Sequence, residues 1–160
     1  MQQAYERKRR SRETGRDALA ALFTTALVGT GKPVQEVRNY LSLDFGGLTP
    51  VVQVVAAATP VRERYGMGTV KFKTRFRYEV QIFVIDAVIG DTSWTRQSVE
   101  DRLDLIEKMI ADVVADNRNN PPIWNDLKHA PDTQPLLRVS VGGDDYWLET
   151  VLLEMEVTDV

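Results

Sequence analysis

The sequence predicts an α+β fold: a mostly antiparallel sheet built from two hairpins, with two helices packed on one face. Three observations predict it. Two stretches carry apolar residues at helical spacing, two pairs of stretches alternate apolar and polar residues, and turn residues separate them in the order helix, hairpin, helix, hairpin. The chain has 160 residues, the length of one domain. It divides into a basic N-terminal arm, residues 1–13, and a single α+β domain, residues 14–160.

Thr14 followed by Asp17 predicts the first helix start, the hydroxyl accepting an early N–H and the acid lying at the positive end. Leu19, Leu22, Phe23 and Ala26 then step by three and four, one apolar stripe that ends near Gly29 and Gly31. The stretch 32–48 has no sustained period and reads as a connection, with at most one short element around 35–41. Residues 51–58, valine-rich after Pro50, read as a strand buried on both faces, and Pro60 puts its end at a sheet edge or bulge. After a turn at Gly66-Met67-Gly68, Val70, Phe72, Phe76, Tyr78, Val80, Ile82 and Val84 share one face of a strand. Lys71, Lys73, Arg75, Arg77, Glu79 and Gln81 share the other. Taken as one hairpin, 51–65 and 69–85, the second arm would reach roughly 55 Å, against roughly 40 Å for the diameter of such a domain. The excess predicts a basic tip, with Arg62, Arg64, Lys71 and Lys73, projecting from the body; a bent strand is the alternative.

Ser98 with Asp101 repeats the capping signature, and Val99, Leu103, Ile106, Ile110 and Val113 follow at steps of four and three. Asp101, Asp104, Glu107, Asp112 and Asp116 ride the other faces of this helix, and the polar, proline-bearing stretch 117–122 ends it. Trp124, Leu127 and His129 lie in a short segment closed by Pro131 and Pro135. Leu137, Val139 and Val141 then alternate with Arg138 and Ser140, Gly142-Gly143-Asp144-Asp145 makes a turn, and Trp147, Val151, Leu153, Met155 and Val157 share a face of the last strand. No internal repeat is evident.

Composition removes most enzyme classes. With no Cys there is no disulfide framework, thiolate metal site or cysteine catalysis, and a single His, His129, excludes a multi-histidine metal site or His-based triad within one chain. The longest apolar run, around 54–58, is far below the roughly 20 residues that cross a bilayer, so no membrane association is expected. Charge is uneven: residues 1–85 hold 14 Lys and Arg against 7 acids, and residues 86–160 hold 6 against 16. Halves of +7 and −10 suit a particle with two electrostatic poles or copies that dock head to tail, unless the fold intermixes them. The basic run Arg7, Lys8, Arg9, Arg10 and Arg12 has three open roles, contact with nucleic acid, with an acidic neighbour, or with water alone.

No constellation assembles chemistry. Gly29-Thr30-Gly31 leaves a helix and Gly66-Met67-Gly68 joins strands, so neither has the strand-to-helix setting of a phosphate loop. Asp144 and Asp145 have the oxygen ligands of a divalent-ion site, the basis of a metal-assisted hydrolase alternative, but sit where a hairpin turn favours Asp and Gly. The pairs Asp101 with Asp104 and Asp112 with Asp116 suit acid–base work only in a cleft, and their setting is that of a solvated helix face. Neither a metal nor a cofactor is expected. Trp94, Trp124 and Trp147 lie beside apolar runs and read as core or subunit contacts before base-stacking platforms. The stripe Lys71, Lys73, Arg75 and Arg77 fits phosphates, a wet sheet face or a neighbour's acidic helix equally well, which keeps a small nucleic-acid-binding module open.

Taken together, the elements resemble a known family. They are an opening helix, the strand Pro50-Val51-Val52-Gln53-Val54, and a long strand ending Tyr78-Glu79-Val80-Gln81-Ile82-Phe83-Val84. A Trp94-containing lead into an amphipathic helix follows, then Trp124 in a short linker and Gly142-Gly143-Asp144-Asp145-Tyr146-Trp147 before a last strand ending Leu153-Glu154-Met155-Glu156-Val157. Over about residues 14–158 this resembles the tail terminator family of long-tailed bacteriophages, together with the neck and tail-completion proteins of that fold. The basic first 13 residues and the long first hairpin depart from the family's compact form. The resemblance implies a non-enzymatic virion subunit forming a ring, hexameric in the family, that caps the tail tube, ends tube polymerisation and joins the tail to the head. Its partners would be its own copies, the tail tube protein and a head connector or stopper protein, with DNA passing through the lumen without specific binding. A head-completion or adaptor protein on the head side of the same junction is the nearest alternative. On this basis the 62–77 hairpin is expected to contact an adjacent subunit or neck protein, with Arg75 and Arg77 opposite acids such as Asp104 or Glu107. Acidic residues are expected to line the lumen and repel phosphate.

Overall fold

A computed structural model describes residues 11–64, 72–121 and 123–158. Arg7, Lys8, Arg9, Arg10, Val70, Lys71 and the Gly66-Met67-Gly68 turn lie outside the described residues. The elements in chain order are α1 (Arg12–Leu27), β1 (Glu36–Arg38), β2 (Val51–Ala56), β3 (Val61–Arg64), β4 (Phe72–Ile85), α2 (Arg96–Asp116), β5 (Asp126–His129), β6 (Leu137–Val141) and β7 (Asp144–Thr158). The fold is α+β, with both helices on one face of a seven-stranded sheet. The sheet is mixed and not purely antiparallel, because β1 pairs parallel with β2 while every other pairing is antiparallel.

Two long strands form the spine. β4 and β7 pair antiparallel from Lys73↔Thr158 to Ile85↔Tyr146. Each has its outer edge lined by a strand in two pieces. β2 and β3 both pair with β4, from Val51↔Phe83 to Ala56↔Tyr78 and from Val61↔Arg75 to Arg64↔Phe72. Likewise β6 and β5 both pair with β7, from Leu137↔Leu148 to Val141↔Asp144 and from Asp126↔Glu156 to His129↔Leu153. Prolines sit in both breaks, Pro60 in one and Pro131 and Pro135 in the other, since a ring nitrogen cannot donate to the ladder. The predicted hairpins are thus present but segmented, and the chain repeats one connectivity that the sequence hides: helix, broken outer strand, long inner strand.

Both helices begin one turn earlier than the sequence suggests. Ser11 caps α1, its hydroxyl accepting from the Thr14 N–H at 3.2 Å, so Arg12 and Glu13 belong to the helix and not to a free arm. Thr95 caps α2 in a reciprocal box, accepting from the Ser98 N–H at 3.3 Å while the Ser98 hydroxyl accepts from the Thr95 N–H at 3.1 Å. Each cap satisfies N–H groups that the first helical turn leaves without partners.

The stripes predicted for the helices meet the even-numbered face of β4. Leu19, Phe23 and Leu27 of α1 and Val99, Leu103, Ile106 and Ile110 of α2 pack on Phe76, Tyr78, Val80 and Ile82, with Leu153 and Met155 of β7. α1 comes close enough that a Cβ on Gly15 would lie 2.6 Å from Tyr78 Oη and 2.7 Å from Met155 Sδ. Tyr78 donates to the Arg12 carbonyl at 2.7 Å, and burial pushes its phenol pKa up, keeping the proton that makes the bond. A smaller cluster occupies the opposite face. Phe45, from the 39–50 connection, stands edge-on to Tyr146 at 5.3 Å between ring centres and tilted against Phe83 at 4.8 Å. Cover extends out to Thr74 and Val157, both buried, so the projection expected of the basic tip is shorter than the strand-length arithmetic suggests. Only Phe72 and Lys73, with the exposed β3, reach past it among the described residues.

Candidate interaction surfaces

The described part of the basic stripe, Lys73, Arg75 and Arg77, is neutralised within the chain. Strand register sets Glu156 of β7 opposite Arg75 and Glu154 opposite Arg77. Lys73 pairs with Glu156 at 3.2 Å, Arg75 with Glu63 of β3, and Arg77 with Asp132 at 2.8 Å and Glu154 at 3.5 Å, while Lys128 of β5 adds a second cation to Glu154 at 3.7 Å. Alternating signs across neighbouring strands stabilise the open face by cross-strand pairing and leave little net charge for a phosphate track. Within one chain, Arg75 and Arg77 face away from Asp104 and Glu107: the arginines project from the open face, and the acids ride on α2 over the covered one.

Other cations are left over. Arg62 and Arg64 stand on β3, where all four residues are exposed, and neither makes an ion pair with a described residue. Their cross-strand partners, Thr74 and Phe72, belong to the helix-covered face, so both guanidinium groups lie on that side of the sheet. Nearby, Arg12 donates to the Ala58 carbonyl at 3.1 Å, and Arg16 keeps a buried Nε without a hydrogen-bond partner. The opposite sheet edge, beneath α2, is acidic. Asp104 and Glu107 make no ion pair with a described residue. They raise the pKa of Glu149 on β7, after the larger effect of its partial burial.

The remaining candidates are structural. Trp124 is buried and donates to the Asn117 carbonyl at 2.9 Å; Trp94 donates to the Ile85 carbonyl at 3.1 Å, and Trp147 to Asp86 at 2.6 Å. Arg96 lies 3.8 Å over the Trp147 ring and Arg102 5.0 Å from that of Trp94, so cations already occupy the faces that a base would stack on. Gly142 and Gly143 adopt positive φ of 59° and 86° in the last hairpin turn, and Asp145 beside them pairs with Arg138 at 3.2 Å. Among the described residues no group of acids or histidine is arranged to hold a metal ion, and no helix is long and apolar enough to cross a membrane. His129 lines a shallow depression of about 400 Å³ with Ala111, Val114, Arg118, Asp126 and Lys128.

One surface has no counterpart among the sequence expectations. Tyr40, Leu41 and Leu43 are 55%, 64% and 82% exposed on a connection braced beneath by Phe45 and by the Ser42 N–H, which donates to buried Gln53 at 2.6 Å. Three apolar residues in four positions without a period were the only signal available. No protein-family model and no curated protein sequence matches the chain.

Proposed function

We propose that the chain is a structural subunit of the neck of a long-tailed bacteriophage, a tail terminator. It forms a ring, taken as hexameric, that caps the tail tube, stops further tube subunits from adding and joins the tail to the head connector or stopper. The observation that carries this reading is the separation of unpaired charge. Arg62 and Arg64 at the β3 edge of the sheet and Asp104 and Glu107 at the α2 edge make no ion pair with a described residue, a disposition suited to copies meeting side by side. The resemblance in element order supports the neck assignment, and the neutralised stripe weighs against the nucleic-acid-binding alternative.

Electron microscopy of particles from a producing phage that lacks this chain tests the assignment. Overlong, headless tail tubes are the expected result. Normal-length tails left unjoined would move the protein to the head side as a completion or adaptor protein, and intact infectious particles would refute the neck reading.

A further inference from the structure

We propose that the β3 edge of one copy binds the outer flank of α2 in a second copy, with Arg62 and Arg64 facing Asp104, Glu107 and Glu149, as a head-to-tail contact. The inference rests on the chain being a self-assembling subunit, and it names the surfaces that do the assembling. The arginine pair of the open face is not available for this purpose because Arg75 and Arg77 already hold Glu63, Asp132 and Glu154.

Three observations converge on this pairing. Arg62 and Arg64 are exposed and lack an anionic partner among the described residues, so the edge offers two free cations on the helix-covered side of the sheet. Three carboxylates from two elements, Asp104 and Glu107 of α2 and Glu149 of β7, interact with one another, and none makes an ion pair with a described residue; Lys108 beside Glu107 is held by Asp112 at 2.6 Å. Glu149 is only partly solvated, and like charges around a desolvated carboxylate are costly until a cation arrives. The two patches also have compatible positions. Both lie on the helix-bearing side of the sheet, one at the edge that α1 borders and the other at the edge that α2 borders. A contact between two different patches of one chain is heterologous, so each copy keeps a free patch for the next and assembly proceeds in one direction until it closes. The acidic patch is the complement that phosphate would otherwise supply, which favours a second copy over nucleic acid as the occupant.

Sedimentation velocity on the full chain tests the contact. Wild type should associate with rising concentration, and the association should weaken at least about tenfold between about 50 mM and about 500 mM salt. R62E/R64E and D104K/E107K should each remain monomeric alone. Mixed in equal amounts they should associate again, because each variant retains one working patch and the two charge-reversed patches attract each other; this also shows that both variants are folded. Self-association of R62E/R64E equal to wild type would overturn the contact while leaving a ring built through other surfaces intact. A wild-type chain that stays monomeric throughout overturns it as well, and salt-dependent DNA binding by that monomer, lost in R62E/R64E, would assign the edge to nucleic acid instead. The neck reading fails separately, on particle morphology.

Discussion

Gly15 and Tyr78 show how one atom fixes the seat of a helix. The missing Cβ lets α1 approach until the Tyr78 hydroxyl reaches the Arg12 carbonyl, and a methyl group there would meet Tyr78 Oη and Met155 Sδ well inside contact distance. Gly15→Ala should therefore destabilise the chain by about 1–3 kcal/mol through overpacking, although alanine is the better helix former by about 1 kcal/mol. Tyr78→Phe alone should cost about 1 kcal/mol, and the double variant should cost less than the sum because the clashing oxygen is gone. Urea denaturation of all three variants measures this coupling. Glu149 gives a test with pH. Its pKa is raised by burial and then by Glu107 and Asp104, so the folded chain holds that proton more tightly than the unfolded chain does. This contribution to stability is present at acid pH and is lost as pH rises through the raised value. Glu149→Gln should thus raise the unfolding midpoint at neutral pH and lose that advantage below the ordinary carboxylate range.

Elements with several periods were legible in the sequence, and elements of one or two periods were not. The stripes of α1 and α2 and the alternation along β4 and β7 appear where the spacing put them. β1 has three residues and β5 four, too few to show alternation, and what holds them is pairing to partners far along the chain. Both caps were misplaced by one turn for a related reason. Ser, Thr and Asp recur at spacings of three in both segments, so only the path of the preceding chain selects which hydroxyl turns back on the helix. Thr95→Ala should accordingly cost about 1 kcal/mol in thermal unfolding, whereas Asp101→Ala, in the position the sequence favoured, should change stability by less than about 0.5 kcal/mol. A nucleic-acid test by truncation should likewise stop at residue 10, since removing residues 1–13 also deletes the Ser11 cap and the carbonyl that Tyr78 holds.

For the whole molecule, charge was legible as a total but not as a surface. The basic stripe on β4 was evident from residue spacing, yet its neutralisation depends on the register that brings Glu154 and Glu156 of β7 beside it, and register lies in long-range pairing. Unpaired Arg62 and Arg64 gained meaning only once their better-placed neighbours had been matched. The repeated order of helix, broken outer strand and long inner strand carries a different consequence. The passage from β4 into α2 spans residues 86–95, and the same step from β7 back into α1 would span residues 159–160 and 1–11, about 45 Å at full extension. A circular permutant that starts at Asp91, beside the fully exposed Ile89, and joins residue 160 to residue 1 should fold cooperatively to within about 2 kcal/mol of the native chain in urea. Without a cooperative transition, the two halves would be related in outline only, with the native order itself required for folding.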